Sequence, residues 1–386
     1  MNRSTSFING KLVLSDQVVD TNLRIENGFI VSIGEDSLGH SDHIIDLKGD
    51  YLMPGLVEIH TDNLERHLMP RPKVNWEELP ALLAHDAEIT ASGITTVFDA
   101  LGVGEADTES LRGSTWSSFL DTLAFCESNR LLRADHHLHI RCELPAPNTI
   151  ELFKPFHNHP KLSLISLMDH TPGQRQWENI EVARTYYTGK KGWSQEKFEL
   201  QVSHAPKLQA QYAQPHRAYF VEYCKTHNVA MASHDDTTQE HVLQAANEGA
   251  CISEFPTSLL AAKIAHEKNM LNVMGGPNVV RGGSHSGNVA AIELAKQGLL
   301  DILSSDYVPS SLLAAVMRLV DERVFSLPQA LTTVTHNPAK ATGLNDRGSL
   351  AVGLRADLIH TQLVNISTQK THAIVKSAWR LGERMI

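Results

Sequence analysis

The sequence holds little cysteine, and what it holds is scattered. Cys126, Cys142, Cys224 and Cys251 are the four in 386 residues, with no Cys-x-x-Cys spacing, which excludes a disulfide framework or a zinc knuckle as the organising device. Cys142, beside Glu143, reads as a buried structural thiol. Long apolar runs are missing too. No stretch approaches the roughly 20 residues that cross a bilayer, and Met1 to Asn9 is polar, without the basic and apolar regions of a secretory signal. The expectation is a cytoplasmic protein with no membrane partner. Basic residues are outnumbered, 34 Lys and Arg against 44 Asp and Glu, for a formal net charge of −10. That balance excludes a general nucleic-acid binder, which needs a basic face.

What is present is the composition of an ordinary globular protein, with 42% apolar and 20% charged residues. Residues 1–53 read as short strands: Ser6 to Leu14, Asn22 to Glu26, a hairpin turn at Asn27-Gly28, Phe29 to Ile33, and Ile44 to Leu47. From Pro54 the pattern becomes apolar runs separated by helical stretches, the signature of βα repetition around a parallel sheet. The runs are Leu56 to His60, Ile94 to Ala100, His137 to Leu144, Leu162 to Asp169, Val229 to His234, Cys251 to Phe255, Leu271 to Met274 and Ile302 to Asp306, and these eight are the number that closes a (β/α)8 TIM-like barrel. Helices are expected between them, among others at Glu77 to Ser92, Pro215 to His227 and Ser286 to Gln297. The interval from Thr171 to Asn228 is too long for one crossover helix and reads as an excursion near the active face. From Ser349 short strands return. The expected architecture is therefore a barrel over 54–348 and a small β-sandwich built from 1–53 and 349–386.

Side chains at the C-terminal ends of barrel strands face the catalytic mouth. His60 and Asp62 alternate on one strand face about 7 Å apart, and further metal-ligand types recur at Glu143, His170, His234 and Asp306. One histidine at a strand end is usually a structural residue; this many together point to a metal centre. Imidazole and carboxylate donors suit zinc, manganese or iron, and several carboxylates can hold two ions. Glu143 is the candidate bridge, Asp306 the candidate proton acceptor for an activated water, and either His170 or Glu254 would complete a second ion's shell. A single-ion site is the alternative. His136, His137 and His139 lie toward the entry of the third strand and are expected to serve stability.

With Asn9-Gly10-Lys11, Ile25 to Gly28, Pro54 to His60 and Ser304-Ser305-Asp306, the chain resembles the amidohydrolase superfamily over essentially its whole length. That resemblance implies a metal-dependent barrel with a β-sandwich from both termini. It departs from the common pattern in having Asp62 where a second histidine is usual and in lacking a strand-end lysine to bridge two ions. His60 to His67, Pro70 to Val74 and Gly275 to Asn288 are similar to the diphosphatases of the carbon-phosphorus lyase pathway, which implies release of diphosphate from a phosphorylated sugar, α-D-ribose 1-methylphosphonate 5-triphosphate, in phosphonate catabolism.

A triphosphate needs fixed donors and cations. Arg66, Arg71 and Lys73 after the first strand, Arg175 after the fourth, and Arg281 with His285 after the seventh are the candidates. Glycines at 275–276 and 282–283 bracket Arg281, and the helix expected from Ser286 would offer its N-terminus to an anion. The alternatives are a carbon-centred amidohydrolase, whose metal water attacks a carbonyl, and a non-catalytic binding barrel. A homo-oligomer is compatible with either use of the barrel.

Overall fold

Alternation of buried and exposed positions builds the first sheet from the chain's start. The computed structural model describes residues 4–35, 41–71, 74–104, 112–177, 180–189, 192–284 and 287–386, apart from the side chains of 112–115. β1 (Ser4–Val13), β2 (Val18–Glu26), β3 (Phe29–Ile33), β4 (His43–Asp46) and β5 (Tyr51–Pro54) come first. Asn27 and Gly28 join β2 to β3 with φ of 53° and 86°, the doubly left-handed pair that a two-residue hairpin of matching twist requires.

Eight parallel strands follow: β6 (Leu56–Thr61), β7 (Ile94–Val103), β8 (Asp135–Glu143), β9 (Leu162–Met168), β10 (Ala230–His234), β11 (Ile252–Glu254), β12 (Leu271–Gly275) and β13 (Ile302–Ser304), side by side in chain order. β14 (Leu358–Ser367), β15 (Lys370–Arg380) and β16 (Glu383–Arg384) then return to the first sheet, whose order is β16-β15-β14-β5-β1-β2-β3 with β4 paired to β1. Phe7 from one end of the chain meets Trp379 from the other edge to face, ring centres 5.0 Å apart, in a core shared with Leu12, Leu23, Leu52 and Leu358. The barrel is filled by Val57, Ile59, Phe98, Leu164, Ala232, Ile252, Val273 and Ile302, all buried. The polar side chains of the site stand above this apolar floor. Among the described residues no helix is long and apolar enough to cross a membrane.

The barrel closes where β13 returns to β6. Thr61 bridges Asp306, the Asp62 N–H donates to the Asp306 carbonyl at 2.8 Å, and the Asp306 N–H donates to the His60 carbonyl at 3.1 Å. Glu58, fully buried, accepts from the His60 N–H at 2.6 Å and from the Ser305 N–H at 2.5 Å. One carboxylate thus holds both sides of the seam. Glu58→Ala leaves two buried N–H groups without an acceptor, each worth about 1–3 kcal/mol, so a loss of roughly 2–6 kcal/mol is expected in urea unfolding. An unchanged midpoint would remove Glu58 from this role.

Three helices differ from expectation. The stretch expected from Pro215 begins at Gln195 and runs 33 residues to His227. Ser194 caps it, accepting from the Lys197 N–H, and Phe198 is buried, so a proline that would suit a first turn lies inside instead. The segment after β12 forms a short helix, Gly276–Arg281, with Pro277 in its first turn and Gly282 at φ 83° ending it. The helix expected over Ser286 to Gln297 covers only Ala291–Lys296. Asn278 accepts from the Ala291 N–H at 2.9 Å and Val289 donates to Thr257 at 3.0 Å. These bonds fix the extended approach of Val289 and Ala290 to a helix that begins at Ala291; Ser286, its expected start, lies outside the described residues.

Candidate metal centre

Four imidazoles form a continuous row across the barrel mouth. His60 stacks on His234 with centroids 5.8 Å apart, His234 meets His170 at 5.6 Å, and His139 meets His60 at 5.1 Å. Beneath them Glu254, fully buried at the end of β11, lies 2.7 Å from His60 Nδ1 through one oxygen and 2.7 Å from His234 Nδ1 through the other. The Ser166 hydroxyl donates to it at 2.8 Å. An ionised carboxylate only accepts, so both rings donate from Nδ1 and turn Nε2 toward the mouth. Burial raises the Glu254 pKa, but His60 nearby and the hydrogen bonds from His234 and His60 carry it well below the usual carboxylate range. His139 itself is held neutral, burial pushing it down to about 3.

On the other side of His234, His170 takes both oxygens of Glu143, through its N–H at 2.8 Å and Nδ1 at 2.5 Å. Its Nε2 faces Asp235 Oδ2 at 3.6 Å, and His234 Nε2 lies 3.4 Å from the same oxygen. That oxygen is buried and has no hydrogen-bond partner among the described residues. Burial opposes charge on His170, but Glu143 and Asp235 outweigh it and raise its pKa to about 10. The imidazole therefore sits in an excess of negative charge.

Among the described residues three histidine–carboxylate groups are compact enough to hold an ion, and one is His170, His234 and Asp235. The group of His60, His139 and Glu254 lies lower, with Glu254 already spent on Nδ1 atoms. The third, His85, Asp99 and His136, is completely enclosed between β7, β8 and the helix Glu78–Ala91, and its atoms are hydrogen-bonded: His85 Nε2 and His136 Nδ1 each lie 2.8 Å from Asp99, and Asn63 donates to His85 Nδ1 at 2.9 Å. The orphaned Asp235 oxygen beside two Nε2 atoms is the feature a divalent cation fits. His60 Nε2, 3.9 Å from Asp62 Oδ1, extends the donor set.

Asp62 also accepts from the Arg141 guanidinium. Burial would lower the Arg141 pKa, but Asp62, Glu65, Glu254 and Asp306 raise it, so this arginine is a cation at the floor of an acidic mouth. Asp306, at φ 54°, is tied to the backbone of His60 and Asp62 through the seam. All six expected ligands are thus brought to one region. Glu143 is the one whose placement changes its reading, because a bridging role would require His170 to give up one of its two bonds. Sequence reasoning missed Asp235, which follows His234 directly and is aimed by φ 54°, and it left His139 to stability.

The expected phosphate contacts are dispersed. Arg66 pairs with Glu88 at 2.5 Å, and His67 reaches the same carboxylate at 2.8 Å. Arg71 is exposed in a short bridge to Val74. Arg175 is a correction: it is buried beneath the turn after β10, with one guanidinium nitrogen 2.6 Å from Asp236 and 2.9 Å from the His234 carbonyl. Arg281 lines a groove with Pro277, Tyr307, Ser311 and His372, outside the histidine row. Lys73 and His285 lie outside the described residues. The excursion after β9 covers the Glu143 side of the mouth with Trp177, Tyr187, Trp193 and Phe198; burial and the Glu143 charge push the Tyr187 phenol up.

Residues 208–383 match the amidohydrolase family. Over 379 residues, 98% of this chain and 99% of the relative, the sequence is 43% identical to the alpha-D-ribose 1-methylphosphonate 5-triphosphate diphosphatase of Escherichia coli (strain K12). Among solved structures, an amidohydrolase covers 99% of this chain and 98% of its own with a TM-score of 0.65 at 14% identity. N-acetylglucosamine-6-phosphate deacetylase from Pasteurella multocida covers 99% of both with 0.63 at 12%. Those two identities speak for the fold alone. With a closed eight-stranded barrel, a sheet from both termini, histidines and carboxylates at the strand ends, and a relative alike over nearly its full length, this chain belongs to the amidohydrolase family.

Proposed function

We propose that the chain hydrolyses α-D-ribose 1-methylphosphonate 5-triphosphate to α-D-ribose 1-methylphosphonate 5-phosphate and diphosphate, as a step in phosphonate catabolism. The observation that carries this reading is the 43% identity to the diphosphatase across 98% of the chain. We further infer a divalent cation at the mouth, with His60, Asp62, His170, His234, Asp235 and Asp306 as donors and Glu143 beside them. Nitrogen and carboxylate donors together favour zinc, and the set is large enough for two ions. Such a cation supplies Lewis acidity toward water and phosphoryl oxygens.

The chain's own residues do the rest. Glu254 keeps Nδ1–H on His60 and His234, so that neither ring turns its lone pair away from the mouth. Asp306, fixed by the seam beside His60, takes the proton of the attacking water. The floor of Val57, Phe98, Leu164 and Ile302 keeps bulk water from below, which strengthens each charge interaction above it.

Phosphorus NMR of zinc-loaded protein incubated with the triphosphate tests the reaction. Diphosphate should appear, should vanish after chelation, and should return when zinc is restored, while Asp306→Asn should lower the rate about 100-fold or more. No diphosphate from protein shown to hold metal, with amides or cyclic ureides turned over instead, would transfer the site to carbonyl chemistry.

A further inference from the structure

We propose that Arg141 is a catalytic residue, its guanidinium binding phosphoryl oxygens of the triphosphate at the histidine–carboxylate centre; this rests on the proposed diphosphate-releasing reaction. Arg141 stands on the inward face of β8, two residues before Glu143 and so on the same side of the strand. One guanidinium nitrogen pairs with Asp62, its Nε is buried and makes no hydrogen bond to the described residues, and 17% of its side-chain surface still faces the mouth.

The described cations expected to meet phosphate are placed elsewhere. Arg66 is committed to Glu88, Arg175 is committed to Asp236, Arg71 is exposed in a bridge to Val74, and Arg281 lines an outer groove. Arg141, unlike these four, lies among Asp62, Glu65, Glu254 and Asp306. A planar guanidinium offers five donors, and Asp62 engages one edge, so further N–H groups remain for a phosphate. Asp62 holds the fork in place and, when it shares its charge with a divalent ion, pulls on it less.

In the reaction, a water oxygen bonds to a phosphorus flanking the bridge between the first and second phosphates. The bridging P–O bond breaks with its electron pair on the departing oxygen, and the water proton passes to Asp306. Negative charge spreads over non-bridging oxygens in such a loose transition state. Arg141 donates to those oxygens, where fixed donors in a dry site act most strongly.

Arg141→Gln and Arg141→Lys, both zinc-loaded, provide the test, read by metal content, calorimetric binding of inorganic diphosphate, and kcat with KM. Arg141→Gln should keep its zinc stoichiometry, bind diphosphate at least tenfold more weakly, and lose about 100-fold or more in kcat. Arg141→Lys should recover part of both, since it restores charge without the fork, and it stands in should the glutamine variant not fold. Full kcat and unchanged diphosphate binding in either variant would refute the role. Zinc loss in both would overturn it in favour of an arginine that merely orients Asp62. Unmodified protein that releases no diphosphate refutes the proposed function itself; unmodified protein that releases it, with Arg141→Gln doing so at the same kcat, refutes the arginine assignment alone.

Discussion

Glu254→Gln is expected to lower zinc affinity about 100-fold, with catalysis falling in step, although Glu254 need not touch the ion. Its two oxygens each serve an imidazole Nδ1, at 2.7 Å in both cases. Glutamine keeps one acceptor oxygen and replaces the other with an NH2 group, which can only donate. One histidine must then shift its proton to Nε2 or turn its ring, and the nitrogen that faced the mouth is lost as a donor. Removing a carboxylate behind a metal-binding histidine costs about 10–100-fold in metal affinity or activity. The upper end applies because one residue here orients two rings. A competition titration with a zinc chelator measures it, beside a circular-dichroism spectrum showing that the variant is folded. Zinc affinity equal to that of the unmodified protein would mean the histidines are oriented by their packing alone.

The second large effect concerns stability and lies between β7, β8 and the helix Glu78–Ala91. His136 presents Nδ1 to Asp99 at 2.8 Å and Nε2 to Asp86 at 3.3 Å, all three buried. Asp86 also accepts from the Arg133 and Ala134 N–H groups at 2.9 Å and from the Arg133 guanidinium at 3.0 Å. With a carboxylate at each nitrogen the imidazole is doubly protonated. Burial works against that charge, but Asp99 and Asp86 raise the pKa to about 10. A histidine pKa raised on folding contributes stability that is complete below the ordinary value of about 6.5 and is lost as pH climbs through the folded value. Unfolding free energy should therefore fall between about pH 6.5 and 10, by something on the order of 3 kcal/mol from His136.

At the acid end the sign reverses. Asp86 and Asp99 have pKa values lowered against the opposing effect of burial, chiefly by His136. Their contribution is present above the normal carboxylate range and disappears as pH falls through their folded values. His136→Gln should cost about 3–5 kcal/mol near neutrality, since it removes the buried cation between two buried carboxylates, and should flatten the alkaline slope. Because His170 titrates in both proteins, the difference between their urea-unfolding curves across pH isolates His136. Identical slopes in the two would sink the assignment.

The amino-acid pattern alone carried the barrel a long way. Each expected apolar run overlaps a strand, from Leu56 in β6 to Ile302 in β13, because a parallel strand covered on both faces is apolar at nearly every position and helices of different periodicity separate the runs. The same logic placed His60, His170, His234 and Asp306 at one mouth, since every parallel strand ends on the same face of the barrel. Local rules served equally well at Asn27-Gly28, where the turn depends on two adjacent residues.

The misreadings share a cause. The helix over 291–296 starts late because Asn278 and Thr257, distant in sequence, bind the chain at Val289 and Ala291 and hold the approach to the helix extended. Arg66 and Arg175 have the charge a phosphate needs, but Glu88 and Asp236 reach them first across other elements. Glu254 was legible as a strand-end carboxylate, yet its service to His60 and His234 depends on the lateral meeting of β6, β10 and β11. The sequence by itself determined the elements, their order and the face on which chemistry collects, because these follow from periodicity and the direction of the strands. Only the tertiary structure decided which charges are spent on one another and which face the mouth, because a hydrogen bond of 2.7 Å is set by where separate strands bring their atoms, and no spacing along one strand contains that information.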